Sequence, residues 1–262
     1  MNRNERAKAA QETLDIFQQG HYFLNGNKVV CQSNFNAEFL SEKELDGINP
    51  QLGNYTPKYE VVNESVVDTI LRYENCGVLN FASAKNPGGG FLNGSLAQEE
   101  ALAVSSDLYN SQLQKHELYD INRGCRTTLY THNMIYSRGI TFIRNGSMAL
   151  LPSPVSANVL TSPAVNAGAY YKNEKGSKST VLKVMEKRMR YILNVFADKG
   201  DHTIILGAYG CGVFKNDTAD VAETFCRLLK DEQLEKHFER IVFAVYDPKG
   251  QQYNIFKHHF AE

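Results

Sequence analysis

The sequence predicts an α/β domain with a largely buried, mixed sheet. Three short apolar stretches, Val78–Ser83, Thr203–Leu206 and Ile241–Val245, have the composition of buried strands. The first two run into glycine-rich turns that are followed by helices, and this recurrence is typical of α/β domains. Ligands of such domains collect at the carboxyl ends of the strands, where both glycine-rich turns are expected to lie.

The N-terminal part of the chain is predicted to be an extension packed on this core. Apolar residues at helical spacing predict a helix over residues 4–19, which Gly20 would end. Residues 41–58 are polar and carry Pro50, Gly53 and Pro57, so we expect a surface loop there. This loop divides an extension, residues 1–58, from a core, residues 59–262, within what we expect to be one compact domain.

The remaining elements follow from the spacing of apolar residues and from helix-ending signals. The best supported is a helix over residues 178–199, which has one apolar face and ends before Gly200. In chain order the others are a strand over Tyr59–Val62, a helix from Ser65 to about Tyr73, a loop over Ala84–Ala97, a helix from Gln98 to Leu113, strands over Met134–Ser137, Thr141–Arg144 and Val155–Thr161, and a helix from Asn216 to Leu229.

Composition excludes several classes of function. Lys and Arg total 28 against 29 Asp and Glu, which argues against electrostatic capture of DNA or RNA. The five cysteines form no CxxC pair and the seven histidines form no HExxH motif, so neither a disulfide framework nor a metal site is expected. A charged N-terminus and the lack of a long apolar run predict no signal peptide, no membrane association and a cytoplasmic location.

The first candidate site segment combines a glycine run with paired acids. Gly88-Gly89-Gly90 follows Asn86 and Pro87, and after seven more residues comes Gln98-Glu99-Glu100. Each glycine costs roughly 0.5–1 kcal/mol of extra chain entropy on ordering, so three in a row suggest a backbone that must approach a ligand closely. Bare amides there could cradle sugar hydroxyls or a diphosphate. The alternative is a flexible surface turn.

The two glutamates are expected to have different roles. Adjacent helical residues point about 100° apart, so only one of Glu99 and Glu100 can reach a given bond. Cleavage of a glycosidic bond needs an acid for the leaving oxygen, which a carboxyl beside a sugar cradle supplies. The alternative is that both acids merely complement the positive end of the helix macrodipole.

The second candidate segment has the features of a phosphate loop. Glycines at positions 207, 210 and 212 follow an apolar strand and precede a helix, without the GxGxxG or P-loop spacing. Phe214 could stack on a ribose or base, or could simply belong to the core. Cys211 has no base nearby in the sequence and is expected to fill the loop. A third stretch, Leu160–Gly168, could form another pocket wall.

These motifs resemble those of the bacterial-type poly(ADP-ribose) glycohydrolases, a branch of the macrodomain superfamily. The family signature is a GGG run, a spacer of six to eight residues and QEE, as at Gly88–Glu100. Gly207–Phe214 is similar to the macrodomain diphosphate loop, and the resemblance covers nearly the whole chain. It implies a macrodomain-like three-layer α/β/α fold with a mixed central sheet and an N-terminal helical extension.

The resemblance also implies roles for individual residues. Glu100 would be the catalytic acid and base, Glu99 would hold a ribose hydroxyl, and no metal or other cofactor would be needed. Substrate would be bound by Asn80, Ala82, Asn86, Gly88, Gly89, Gly90, Gln98, Ser162, Pro163, Asn166, Gly207, Ala208, Tyr209, Gly210, Cys211, Gly212, Val213 and Phe214.

The expected activity is hydrolysis of ribose–ribose bonds of poly(ADP-ribose) from chain ends, releasing ADP-ribose. Partners would be poly(ADP-ribose), ADP-ribose and ADP-ribosylated proteins. Two alternatives stay open. One is a non-catalytic ADP-ribose reader, which needs both loops but not Glu100. The other is a hydrolase of the same fold that acts on mono-ADP-ribosylated proteins or on a free ADP-ribose derivative.

Overall fold

A computed structural model describes residues 1–73 and 75–260 of the chain. Glu74, Ala261 and Glu262, which the predicted core includes, lie outside the described residues. The helices are α1 (Arg3–Gln19), α2 (Glu42–Gly47), α3 (Val66–Ile70), α4 (Gln98–Ser105), α5 (Leu108–Gln114), α6 (Glu117–Gly124), α7 (Ala167–Asn173), α8 (Lys178–Lys199), α9 (Thr218–Cys226) and α10 (Gln251–Phe260). The strands are β1 (His21–Leu24), β2 (Asn27–Val30), β3 (Asn36–Leu40), β4 (Lys58–Val62), β5 (Gly77–Phe81), β6 (Met134–Arg144), β7 (Leu150–Ser162), β8 (Thr203–Leu206) and β9 (Arg240–Ala244).

Seven strands form one mixed sheet in the order β3-β6-β7-β5-β8-β9-β4. Strand β5 is parallel to both β7 and β8, and β8 is parallel to β9. The carboxyl ends of these four strands therefore lie at one edge of the sheet. Strands β3 and β6 extend the sheet antiparallel on the far side of β7, and β1 and β2 form a separate hairpin.

Alternating side chains of the sheet fill two cores, one on each face. Leu79 of β5 packs with apolar residues of α8, α9 and α10, whereas its neighbour Val78 packs with those of α3, α4 and α5. This two-sided burial explains why the central strands are nearly continuous apolar runs. The predicted three-layer α/β/α architecture with a mixed sheet is confirmed.

The segment before β4 packs on the core through a strand and a helix, among other contacts. Strand β3 pairs with β6 as an edge strand of the main sheet, and α1 packs its Ala9 and Ala10 against residues of α4. Helix α1 ends at Gly20 as predicted, with φ of 74° at the glycine. The predicted loop over residues 41–58 contains α2, which Ser41 caps and Leu45 anchors by burial.

Several predicted elements differ from the observed ones, and two of the differences have clear local reasons. The predicted pair of strands around residue 139 is one strand, β6, in which a bulge at Gly139, with φ of 74°, bends the chain without ending it. The predicted helix over residues 98–113 is wrong. Ser106 is extended and its hydroxyl donates to the Leu102 carbonyl, which ends α4 and lets α5 leave in a new direction.

Helix α8 covers the predicted residues 178–199, and its last carbonyls are capped by Gly200 with φ of 76°. The helix predicted over residues 216–229 is shorter. Helix α9 begins after Asp217, whose carboxylate caps it, and changes into a π-helical turn at Arg227–Asp231.

Candidate active site

Gln98 fixes the first turn of α4 to the end of strand β5. Its side-chain oxygen accepts a hydrogen bond of 2.9 Å from the Phe81 amide, and its side-chain nitrogen donates one of 2.7 Å to the Leu79 carbonyl. Both polar atoms of the side chain therefore bind backbone. This arrangement determines where the next two residues, the paired glutamates, emerge.

Glu99 is buried and surrounded by hydrogen-bond donors. Its Oε2 accepts from the Ser83 amide at 2.6 Å, and its Oε1 accepts from Gln112 Nε2 at 2.9 Å and from Asn80 Nδ2 at 3.3 Å. Only 3% of the residue is exposed. Three donors on one carboxyl hold it in a single orientation at the carboxyl end of β5.

Burial raises the pKa of Glu99 to about 8, and the hydrogen bonds from Ser83, Gln112 and Asn80 oppose this shift. A raised pKa means that the folded state binds the proton more tightly than the unfolded state. The resulting stability is fully present below the unfolded value of 4.5 and is lost as the pH rises to about 8.

Glu99→Gln is therefore expected to gain stability relative to the wild type as the pH rises from about 5 to 8, since glutamine cannot ionise. Urea unfolding of both proteins across this range measures the difference. Glu117→Gln, in the first turn of α6, is measured alongside as a control for the same change of side chain at another helix start. A constant difference between Glu99→Gln and the wild type would contradict the predicted ionisation of Glu99.

Glu100 lies against the glycine run. Its Oε1 accepts a hydrogen bond of 3.0 Å from the Gly90 amide. A Cβ atom on Gly89 would lie 2.5 Å from this oxygen and 3.2 Å from Glu99 Oε2, so both carboxyls converge on Gly89. Gly89 also has φ of 58°, and only glycine meets both demands without strain.

The spacer between the glycines and the glutamates is held by the N-terminal helix. Arg3 Nε donates to the Asn93 carbonyl and Arg6 Nε to the Gly94 carbonyl, both at 2.8 Å. Gly94 packs so closely that a Cβ would lie 2.0 Å from the Arg3 carbonyl oxygen. Helix α1 therefore supports the segment that places Glu100.

The second glycine-rich loop presents free amides. Among the described residues, no acceptor takes a hydrogen bond from the amides of Gly212, Val213 or Phe214. Val213 is 77% exposed, and a Cβ on Gly212 would meet no atom within 4 Å. Unengaged amides at a strand end before a helix suit an anionic ligand.

Buried contacts join this loop to the strand ends beside Glu99. The Tyr209 ring lies 5.7 Å from the Phe81 ring, centroid to centroid. The Tyr209 hydroxyl lies 2.9 Å from the Ser162 hydroxyl at the end of β7. Because Phe81 ends β5, the two glycine-rich loops lie at the same edge of the sheet.

The residues after β7 complete this edge. Asn166 caps α7, its Oδ1 accepting from the Ala169 amide at 3.1 Å. Asn216, which follows the second loop, donates through Nδ2 to the carbonyls of Val165 and Gly210. These bonds hold the stretch Leu160–Gly168 against the second loop.

The predicted site residues separate by exposure. Eight of the predicted substrate-binding residues are buried and support the site from within: Asn80, Ala82, Gly88, Ser162, Pro163, Gly207, Tyr209 and Cys211. Burial raises the pKa of the Cys211 thiol to about 12, which disfavours the thiolate that a nucleophile requires. Asn86, Gly212 and Val213 are exposed at the rim.

Gln112 also belongs to the site, although it was not among the residues predicted from the sequence. It lies 13 positions after Glu99, so in one continuous helix it would be about 20 Å away along the axis. The break at Ser106 turns α5 so that Gln112 hydrogen-bonds to Glu99. The sequence does contain a sign of this break: Ser105, Ser106 and Asp107 are adjacent, and such residues favour helix ends.

Within residues 1–73 and 75–260 no group of three or more His, Cys, Asp and Glu side chains is placed to hold a metal ion. Among the described helices, none has the length and apolar character needed to cross a membrane.

Comparisons with known proteins agree on one family. The model of the family described as microbial-type PARG, catalytic domain, matches residues 10–145. The crystal structure of poly(ADP-ribose) glycohydrolase (PARG) from Thermomonospora curvata superposes with a TM-score of 0.91 at 33% identity, covering 98% of this chain and 100% of that chain. The same enzyme bound to the inhibitor ADP-HPD gives a TM-score of 0.89 at 33% identity, with the same coverage.

A further similar structure is PARG from Deinococcus radiodurans in complex with ADP-ribose. It superposes with a TM-score of 0.80 at 35% identity, covering 86% of this chain and 93% of that chain. A search of curated proteins found no match.

Proposed function

The chain belongs to the microbial-type poly(ADP-ribose) glycohydrolases, and on that premise we propose how its residues perform the reaction. The activity is hydrolysis of poly(ADP-ribose), a glycosidase reaction. We propose that the bond cleaved joins two riboses at a chain end, that one ADP-ribose leaves per cleavage, and that Glu100 is the acid and base.

The observation that carries this proposal is the convergence of Glu99 and Glu100 on Gly89. The carboxyls lie beside this glycine loop, at the same sheet edge as the free amides of Gly212 to Phe214. A ligand with a ribose at one loop and a diphosphate at the other matches this arrangement. ADP-ribose has both groups.

The two glutamates have different surroundings, which supports different roles. Glu100 is half-buried and accepts one hydrogen bond, from Gly90, so it is free to exchange a proton with substrate. In the proposed reaction it protonates the leaving ribose oxygen as the glycosidic bond breaks, and then accepts a proton from the attacking water. Glu99 is held by three protein donors and orients the ribose beside Glu100.

The test is to incubate the protein with poly(ADP-ribose) and, separately, with a mono-ADP-ribosylated protein, and to measure free ADP-ribose in both. We expect release from the polymer without added metal, with the protein-linked last unit left in place. A parallel melting experiment should show stabilisation by ADP-ribose of about 2.7 kcal/mol when the ligand is 100-fold above its Kd.

The alternatives give different results. A non-catalytic reader would bind ADP-ribose without turnover of either substrate, and a mono-ADP-ribosyl hydrolase would release ADP-ribose from the modified protein. If the protein shows no turnover and no thermal shift with millimolar ADP-ribose, the assignment of the pocket itself is wrong.

We also propose that the protein acts on ADP-ribosylated proteins, that it does not bind DNA or RNA directly, and that it is located in the cytoplasm. These proposals rest on the balanced charge and the scattered cysteines of the sequence.

A further inference from the structure

Arg188 of helix α8 is a fully buried cation without an acidic partner. None of its surface is exposed, and no carboxylate of the described residues lies within ion-pair distance of it. Arginine stays protonated in proteins, and a buried charge is costly unless hydrogen bonds or an opposite charge compensate for it. Its position therefore needs an explanation beyond the packing of α8.

The guanidinium group ties together two segments that are distant in sequence. Nη1 donates to the Pro163 carbonyl at 2.9 Å. Nη2 donates to the carbonyls of Leu129, at 2.9 Å, and Tyr130, at 3.3 Å. One side chain thus holds the turn that precedes β6 against the segment that follows β7.

The remaining partner of Arg188 is His132, which adds no opposite charge. Arg188 Nε lies 3.4 Å from His132 Nδ1. Burial, and secondly the charge of Arg188, lower the pKa of His132 to about 3, so the imidazole is neutral. Nδ1 can then accept the hydrogen bond from Arg188.

Both segments that Arg188 holds border the second glycine-rich loop. Tyr130 has φ of 55°, a left-handed conformation that is unusual for a non-glycine residue, and its ring centroid lies 6.2 Å from that of Phe214. On the other segment, Ala164 follows Pro163 and packs against Gly210, where an added Cβ would lie 2.5 Å from the Ala164 Cβ. A strained residue persists only where its surroundings hold it, and Arg188 supplies that hold.

We propose that Arg188 is a positioning residue for ADP-ribose: it fixes the Tyr130 turn and the Pro163 segment around the second loop, and its positive charge, which no carboxylate of the described residues pairs, favours a diphosphate there. This inference rests on the proposed function. The bound anion would supply negative charge near Arg188, which has no carboxylate of the described residues within ion-pair distance. The expected consequence is an effect on substrate affinity with little effect on the chemical step.

The experiment compares wild type, Arg188→Gln, Arg188→Lys and a control, Asp201→Asn. Asp201 is also buried and accepts hydrogen bonds from Tyr136 and Asn158, but it lies before β8, at the opposite edge of the sheet. For each protein we would measure the melting temperature, the Kd of ADP-ribose, and kcat and KM with poly(ADP-ribose).

Arg188→Gln is expected to weaken ADP-ribose binding and raise KM by about tenfold or more, as for the loss of hydrogen bonds from a charged group, with kcat nearly unchanged. Arg188→Lys retains the charge but not the planar fork, so it should recover part of the affinity. Asp201→Asn should lower the melting temperature and leave Kd and KM unchanged.

The outcomes separate this inference from the proposed function. Wild-type Kd and KM in Arg188→Gln would overturn the inference, while the enzyme assignment would stand. If Arg188→Lys binds ADP-ribose no more tightly than Arg188→Gln does, the proposed role of the charge is wrong. If Arg188→Gln does not fold, Arg188→Lys decides: a raised KM with wild-type kcat supports the inference, and an unchanged KM overturns it. A wild type that neither binds ADP-ribose nor cleaves polymer would instead refute the proposed function.

Discussion

Glu100→Gln is expected to lower turnover of poly(ADP-ribose) by about 10²–10⁴-fold, the usual contribution of general acid–base catalysis. The amide keeps the shape of the side chain and can still accept the hydrogen bond from the Gly90 amide, so the glycine loop should stay in place. It cannot give a proton to the leaving oxygen. The Kd of ADP-ribose should therefore change little while kcat falls.

Two variants make this result specific. Glu99→Gln should also reduce turnover, but by less than Glu100→Gln does. Glu99 is held by three donors and orients the ribose, and it is not the proposed proton donor. Glu117→Gln removes a glutamate from the first turn of another helix, α6, and should retain wild-type turnover. The measurement is a time course of ADP-ribose release beside a binding assay. Wild-type turnover in Glu100→Gln would remove Glu100 from the mechanism.

Gly212→Glu is expected to weaken ADP-ribose binding by about 10²-fold or more, because a like charge placed against an anion costs several kcal/mol. A Cβ atom at this position would meet no protein atom within 4 Å, so we expect the fold to be retained. The new carboxylate would lie beside the free amides of Val213 and Phe214, where we expect the diphosphate to bind.

Gly212→Ala is the matched control and should keep wild-type affinity, since it adds bulk without charge. Gly210→Glu is unsuitable, although Gly210 belongs to the same predicted phosphate loop. Gly210 has φ of 73°, and a Cβ there would collide with Ala164 and Asn216. Calorimetry with ADP-ribose and a melting curve of each variant provide the test. Wild-type affinity in a folded Gly212→Glu protein would exclude the loop from diphosphate binding.

The periodicity of the chain was sufficient to predict the central elements. Helix α8 was predicted to the residue because its apolar face is continuous and Gly200 allows the left-handed cap. The buried strands β5, β8 and β9 were predicted from apolar runs flanked by glycine or polar turns. The glycine run and the QEE sequence predicted the first loop because their spacing is a local property of the chain.

Edge elements could not be predicted in the same way. Strand β3 is stabilised by pairing with β6, about a hundred residues away, and its own five residues carry only a weak alternating pattern. The break between α4 and α5 depends on two contacts of Ser106: a hydrogen bond to the Leu102 carbonyl and a β-bridge to Phe142. Helix propensities alone do not predict it.

By itself, the sequence determined the α/β class, the two glycine-rich loops and the pair of glutamates, because each depends on the spacing of residues that are close together in the chain. Only the tertiary structure decided how these parts are supported. Gln112 reaches Glu99 because α5 turns back, and Arg188 joins two distant segments through their carbonyl groups. Every residue has a backbone carbonyl, so no pattern of side chains marks the ones that a buried arginine will bind.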